Sequence, residues 1–226
     1  MKKKMKKISV ILFALLGVVF FNSCKDDTEE KKPTTTTTNI FTELKGYTGK
    51  TYEEVSLTIQ SKGFTLSGTE SEDGTIVYFF SNSDNSYKYT IGEFNDTIAL
   101  AGYEIINNNK DVLHSNFEKN SQFAVSFVGN NPLVYYNSDF QLNNPENQLE
   151  TFEQRSDFLT AYNQNKNSII YSSETWLTPA EMVGIEFSYN ELDGNYSVAY
   201  YGDFALTPEF MKSNKKSIIE TLHNKK

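Results

Sequence analysis

The sequence has little of the residues on which disulfides, metal sites and nucleophilic catalysis depend. Its 226 residues include one cysteine, Cys24, and two histidines, His114 and His223. A single cysteine excludes a disulfide framework and a cysteine-based zinc site. The two histidines are far apart in the chain and outside any zinc or nucleophile motif, so we predict that both are surface residues.

Motifs for catalysis and cofactor binding are also missing. The chain has no G-x-S-x-G elbow, P-loop or dinucleotide-binding fingerprint. Two carboxylates at a fixed separation would be enough for glycoside hydrolysis, but with 29 Asp and Glu residues almost any fold brings such a pair together. We therefore predict no cofactor, no metal site and no catalytic residue, and keep a carboxylate-dependent glycan hydrolase as an alternative.

The N-terminus is typical of an exported protein. Residues 2–7 read KKKMKK, and an apolar run over residues 10–21 follows, which has the length of a signal-peptide core and is short for a spanning helix. Asn22 and Ser23 then lead to Cys24. This arrangement resembles a bacterial lipoprotein signal, and the relaxed box before the cysteine is similar to that of Bacteroidota lipoproteins.

The resemblance implies cleavage after residue 23 and a Cys24 that carries a thioether-linked diacylglycerol and an acylated amine. Several acyl chains on one cysteine would give durable membrane anchoring. A non-lipidated secretory signal and a short membrane anchor are the alternatives.

The residues after Cys24 concern the destination of the protein. Lys25, Asp26 and Asp27 are similar to the export signal by which Bacteroidota send lipoproteins to the outer face of the outer membrane. The resemblance implies a lipid-anchored, surface-exposed protein. An ordinary charged run at the start of a tether is the alternative.

The charge balance excludes one class of partner. Without residues 1–23 the chain has 16 basic residues against 29 acidic ones, a net charge of −13, and Arg155 is its only arginine. Such a surface repels nucleic acid and anionic lipid headgroups. We therefore expect no nucleic-acid partner, and we expect the lipid rather than charge to hold the protein at the membrane.

The remaining sequence divides into a tether and two folded segments. Residues 24–40 contain acidic residues and the run TTTTT, with no apolar residue before Ile40, which predicts a flexible spacer. We predict one α+β unit over residues 41–120 and a second over residues 121–226. A single continuous sheet is the alternative to two separate units.

The first unit has the clearest local signals. Thr51 and Glu54 can form a capping box at the start of a helix over residues 51–62, which Gly63 can end in the left-handed conformation. Alternating segments then predict strands at 64–70, 75–81, 87–94 and 97–106. The unit therefore reads as a helix followed by an antiparallel β-meander.

The second unit looks like a partial repeat of the first. The segment Thr151 to Gln154 repeats the capping-box pattern before a helical face, and strands follow at 183–189 and 196–200. Between the two similar segments we predict a helix at 111–119 and strands at 122–129 and 133–140. Thr207 and Pro208 predict a C-terminal helix.

We thus predict an α+β fold, a helix plus an antiparallel β-meander in two tandem units. In topology it resembles the tandem modules of β-lactamase-inhibitor-like proteins and of small envelope lipoproteins, which would imply binding through the sheet face. No motif supports that resemblance, and it assigns no residue a role.

Aromatic residues are the remaining signal for function. Doubled aromatics such as Tyr135-Tyr136 and Tyr200-Tyr201 must point to opposite faces of a strand, which leaves one ring outside unless something covers it. Tyr136, Tyr201 and the single tryptophan, Trp176, are therefore the candidate ligand-binding residues. The function that we predict is a non-enzymatic, cell-surface binding module with an unknown protein or glycan ligand, and the alternative is a periplasm-facing accessory in envelope assembly.

Overall fold

The computed structural model describes residues 39–72, 75–144, 146, 149–189 and 194–201. Cys24, Lys25, Asp26 and Asp27, the predicted tether up to residue 38, the predicted C-terminal helix and His223 lie outside the described residues. The helices are α1 (Ile40–Lys45), α2 (Tyr52–Gln60), α3 (Lys110–Val128) and α4 (Arg155–Asn165), with a short 3₁₀ turn at Lys166–Ser168. The strands are β1 (Thr65–Glu72), β2 (Thr75–Ser81), β3 (Tyr87–Phe94), β4 (Thr97–Ile106), β5 (Tyr135–Leu142), β6 (Leu149–Phe152), β7 (Ile169–Leu177), β8 (Met182–Ser188) and β9 (Asn195–Tyr201).

In the first half of the chain, the segments adopt the structures that their local sequence signals predict. The Thr51 side chain accepts a hydrogen bond from the Glu54 backbone N–H, and the Glu54 carboxylate accepts one from the Thr51 N–H, so the capping box that starts α2 is confirmed. Gly63 has φ of +89°, in the left-handed region expected after a helix. The four strands that follow form the predicted antiparallel meander.

The helix in the middle of the chain is longer than predicted, and the predicted strand over residues 122–129 is wrong. Asn109 caps α3 by accepting bonds from two backbone N–H groups, and the helix continues to Val128 before Gly129 ends it with φ of +58°. Leu113, Phe117 and Ala124 are buried at helical spacing along one face. A helix lets one face of this segment contact the core along its whole length, so burial of that face stabilises a helix rather than a strand here. The predicted boundary between residues 120 and 121 falls inside this helix.

The second predicted capping box is also wrong. Thr151 and Phe152 belong to β6, which pairs with β5 through Ser138↔Phe152 and the next three residue pairs. Helix α4 begins later, at Arg155, and its N-cap residue Gln154 makes no side-chain capping bond. Backbone pairing with β5 therefore prevails over the local helix signal, and the two similar segments that suggested a repeat adopt different structures.

The nine strands form one continuous antiparallel sheet. Its strand order is β1-β2-β3-β4-β9-β8-β7-β5-β6, so β1–β4 make one half and β5–β9 the other. The halves join where β4 pairs with β9, from Leu100↔Tyr201 to Ile106↔Asn195. The fold is therefore α+β, with helices and an antiparallel meander in each half.

The core lies between the helices and one face of this sheet. In-register residues such as Ile91 and Ala101 share that face, and they belong to one buried cluster with helix residues such as Phe117 and Phe158. Burying each large apolar side chain contributes about 1.5–3 kcal/mol to the free energy of unfolding. This layer positions α3 and α4 beside each other over β5, β7 and β8.

Candidate functional site

A buried carboxylate lies where four elements meet. Glu174, in the middle of β7, is 0% exposed. Its Oε1 accepts hydrogen bonds from the Tyr136 hydroxyl of β5 at 2.8 Å and from Arg155 Nε of α4 at 3.2 Å. Its Oε2 accepts a bond from the Ser121 hydroxyl of α3. Both oxygens are thus satisfied, as a buried carboxylate requires.

Burial and these partners act on Glu174 in opposite directions. Removal from water raises the pKa of the carboxyl group, because it penalises the charged form, and the Ser121 hydroxyl, Arg155 and Tyr136 lower it in part. The net direction is upward. The pKa of the Tyr136 phenol is raised well above its usual range by burial and by the nearby Glu174 charge, so the phenol remains a donor.

Arg155 is held in place by this network. Nε donates to Glu174, and Nη2 donates to the Ser121 hydroxyl at 2.8 Å. A guanidinium has five N–H donors. The three others have no acceptor among the residues that the structure describes, and the Arg155 side chain is 28% exposed.

Beside Arg155 lies a cavity of about 450 Å³ between α3 and α4. We call it the α3–α4 cavity. The residues that line it recur at helical spacing on the facing stripes of the two helices. They are Phe117, Glu118, Ser121 and Gln122 on α3, and Arg155, Phe158, Leu159, Tyr162, Asn163 and Lys166 on or directly after α4.

The charged groups around the α3–α4 cavity are paired. Lys166 Nζ lies 2.5 Å from Glu118 Oε1, and both side chains are partly exposed. Arg155 and the buried Glu174 form the second pair. The four formal charges therefore cancel, so the cavity combines oriented donors with little net charge.

His114 lies in the core next to this cavity, so the prediction that it is a surface residue is wrong. It is 2% exposed, and its Nδ1 lies 2.5 Å from the Tyr162 hydroxyl oxygen. The imidazole stacks on Phe187 at a centroid distance of 4.3 Å. Burial, with the charges of Lys110 and Lys166, lowers the His114 pKa to about 4. The surface prediction is wrong because His114 lies on the buried face of α3.

The structure places the predicted ligand-binding aromatics differently from one another. Tyr136 is half-buried on the helix-covered face, where its hydroxyl donates a hydrogen bond to Glu174. Trp176 is 2% exposed and packs against Tyr136 at a centroid distance of 5.7 Å, so it is a core residue and cannot be an exposed anchor. The Tyr201 backbone pairs with Leu100 and Met182, and its side chain lies outside what is described.

Sequence reasoning missed Glu174, Ser121 and Arg155 as a group. One signal was present. Glu174 alternates with Ser172 and Trp176, so it occupies a core-facing strand position where a carboxylate needs a partner. The identity of those partners depends on contacts across 19 to 53 residues, which no local pattern contains.

Comparisons with known proteins give no relative from which a role could be transferred. No protein-family model matches this chain, and neither a curated protein nor a solved structure matches it significantly. Within the described part of the chain, no helix is both long and apolar enough to cross a membrane. Among the same residues, no group of three or more His, Cys, Asp or Glu side chains is arranged to hold a metal ion.

Proposed function

We propose that the chain is a lipid-anchored protein of a bacterial outer membrane, displayed at the cell surface, and that its folded part binds a ligand without turnover. The observation that carries the proposal is the N-terminal arrangement of a basic segment, an apolar run and the only cysteine, Cys24. Lys25 directly after it, followed by the acidic residues Asp26 and Asp27, favours the outward-facing destination.

The α3–α4 cavity supports binding as the task of the folded part. Its volume of about 450 Å³ is within the range of small-molecule sites. Glu174 supports the same conclusion, because both of its oxygens accept hydrogen bonds and the carboxylate positions Arg155. Glu118, the carboxylate in the cavity lining, is paired with Lys166.

Mass spectrometry of the protein purified from its native membrane tests the anchor. We expect a chain that begins at Cys24 and carries the mass of a diacylglyceryl group and an N-acyl chain. The Cys24→Ala variant is the matched control, and it should leave the membrane fraction. An unmodified Cys24 thiol, or an intact N-terminal methionine, would contradict the proposal.

Protease treatment of intact cells tests the orientation. We expect the protein to be digested on intact cells, whereas a periplasmic marker protein should survive until the outer membrane is permeabilised. The double variant D26A/D27A should be protected if these aspartates direct export. Protection of the unaltered protein would replace surface display with the periplasm-facing role in envelope assembly.

A glycan assay separates binding from hydrolysis. Host and plant glycans are incubated with the purified protein, and both retention on the protein and release of reducing ends are measured. We expect no release of reducing ends above that of a heat-unfolded control. Release that disappears in the Glu118→Gln variant would overturn the non-enzymatic assignment in favour of a carboxylate-dependent hydrolase.

A further inference from the structure

Arg155 offers an unused binding edge to the α3–α4 cavity. The edge formed by Nε and Nη2 is occupied by Glu174 and Ser121. Nη1, with its two N–H groups, and the second N–H of Nη2 have no acceptor among the described residues. These groups form the end-on fork of a guanidinium, whose planar geometry matches a carboxylate with two parallel hydrogen bonds.

The orientation of this fork is fixed before any ligand arrives. Glu174 is fully buried and bound from three sides, and it holds Arg155 from one edge. Ser121, 2% exposed, accepts from Nη2 and is itself anchored to Glu174. Ordering the arginine on binding would therefore cost little conformational entropy. A preorganised site gains affinity mainly because this cost is avoided.

The charge around the cavity selects among anions. The charges of Arg155 and Lys166 are offset by those of Glu174 and Glu118. A singly charged group adds one negative charge to this neutral set, whereas a phosphate dianion adds two beside the existing carboxylates. The neutral set offers no net attraction to offset the cost of removing an anion from water, and that cost rises with the square of the charge, so the singly charged group is favoured.

We propose that the α3–α4 cavity binds a carboxylate group of a small organic ligand through the unoccupied edge of Arg155. The inference rests on the proposed binding function and names the chemistry of the ligand. The apolar part of the ligand would contact Leu159 at the cavity wall, and hydroxyl or amide groups would reach the exposed Gln122 and Asn163. The carboxylate belongs either to a sugar acid or to an amino-acid-like compound, and the test distinguishes the two.

The single tryptophan supplies a reporter for the experiment. Trp176 contacts Tyr136, whose hydroxyl donates to the same Glu174 oxygen as Arg155. The full-length protein in a non-ionic detergent is titrated with galacturonate and with phenylacetate, and tryptophan fluorescence is followed. Galactose and phenylacetamide are the neutral controls, and phenyl phosphate is the dianionic one.

We expect at least one of the two acids to bind about tenfold or more tightly than its neutral control, equivalent to about 1.4 kcal/mol. Phenyl phosphate should bind more weakly than phenylacetate. Preference for galacturonate identifies a sugar acid, and preference for phenylacetate identifies an amino-acid-like ligand. Equal binding of acids and neutral controls, or tighter binding of the phosphate, would overturn the inference.

Two kinds of variant assign the binding to this place. Arg155→Lys keeps the charge and loses the fork, so we expect about a tenfold weaker affinity for the acid. Because Arg155 also supports Glu174, Asn163→Trp provides an independent test, since Asn163 is an exposed residue of the lining. Its large ring should block the cavity and abolish binding, whereas Thr160→Trp, exposed on the same helix outside the lining, should leave it unchanged. Unchanged affinity in Asn163→Trp would place the binding elsewhere and refute the proposal.

The two proposals fail separately. If Cys24 is acylated and the protein is digested on intact cells but no acid binds, the carboxylate site is wrong and the surface display stands. If an acid binds at Arg155 and Cys24 is unmodified, the anchor is wrong and the site stands.

Discussion

Arg155 Nε lies 3.2 Å from Oε1 of Glu174, although the Glu174 side chain is 0% exposed and the two residues come from different elements. An ion pair of this kind seldom stabilises a fold more than apolar residues of the same volume would. Its effect is to fix geometry. Here it fixes the edge of a guanidinium beside a cavity, at the place where α3, α4, β5 and β7 meet.

Removing both partners of this pair should destabilise the fold by less than the sum of the two single removals. Arg155→Met leaves the buried Glu174 without its counter-charge, which costs about 3 kcal/mol in the free energy of unfolding. The double variant R155M/E174Q should cost clearly less than the sum of the single variants. Urea unfolding of the four proteins gives the coupling energy. Strict additivity would mean that Glu174 does not depend on Arg155.

The first half of the sheet could be predicted because its signals are local. The capping pair Thr51 and Glu54, the helix-ending Gly63 and the alternating strands each act within a few residues. The strand predicted over residues 122–129 failed because Phe123, Val125 and Phe127 alternate as in a strand, although the segment is helical. Contacts of Ala124 and Val128 with the core decide the outcome, and those contacts are long-range.

The candidate site could not be predicted, for a related reason. Its members are a serine on a helix, a tyrosine on one strand, a glutamate on another and the first residue of a second helix. None of them belongs to a motif. Only the register of β7 against β5, with Ser138 opposite Glu174, and the placement of both helices on the same face bring them together.

Two threonines with the same local sequence pattern should respond differently to substitution. Thr51→Ala removes the side chain that caps α2, and we expect a loss of about 1 kcal/mol in the free energy of unfolding. Thr151→Ala is the matched control, because Thr151 is an exposed residue of β6 and caps no helix. Chemical unfolding of both variants checks this. A comparable loss in Thr151→Ala would contradict the observed start of α4.

Gly63 should resist replacement by alanine for reasons of backbone conformation alone. Its φ is +89°, and a Cβ placed there meets no atom within 4 Å. The left-handed backbone conformation costs a non-glycine residue about 1–2 kcal/mol in the folded state. Alanine also lowers the conformational entropy of the unfolded chain, which offsets part of this cost. We expect Gly63→Ala to lower the free energy of unfolding by about 1 kcal/mol. In Gly68→Ala, φ is not positive and the new Cβ would lie 3.6 Å from Phe79, so the change should stay within about 0.5 kcal/mol.

The buried His114 should make the fold sensitive to acid. Its pKa is about 4 in the folded chain and near 6.5 when unfolded, so the unfolded state binds more protons between these values. Stability from this residue is therefore present above about pH 6.5 and is lost as the pH falls toward 4. From about pH 7.5 to about pH 5 we expect a loss of about 2 kcal/mol in the free energy of unfolding.

Urea unfolding at both pH values measures this loss. The control is His114→Gln, which keeps a polar group for Tyr162. This variant should be less stable at neutral pH but lose about 2 kcal/mol less on acidification. The same pH dependence in both proteins would show that His114 is not the group that titrates.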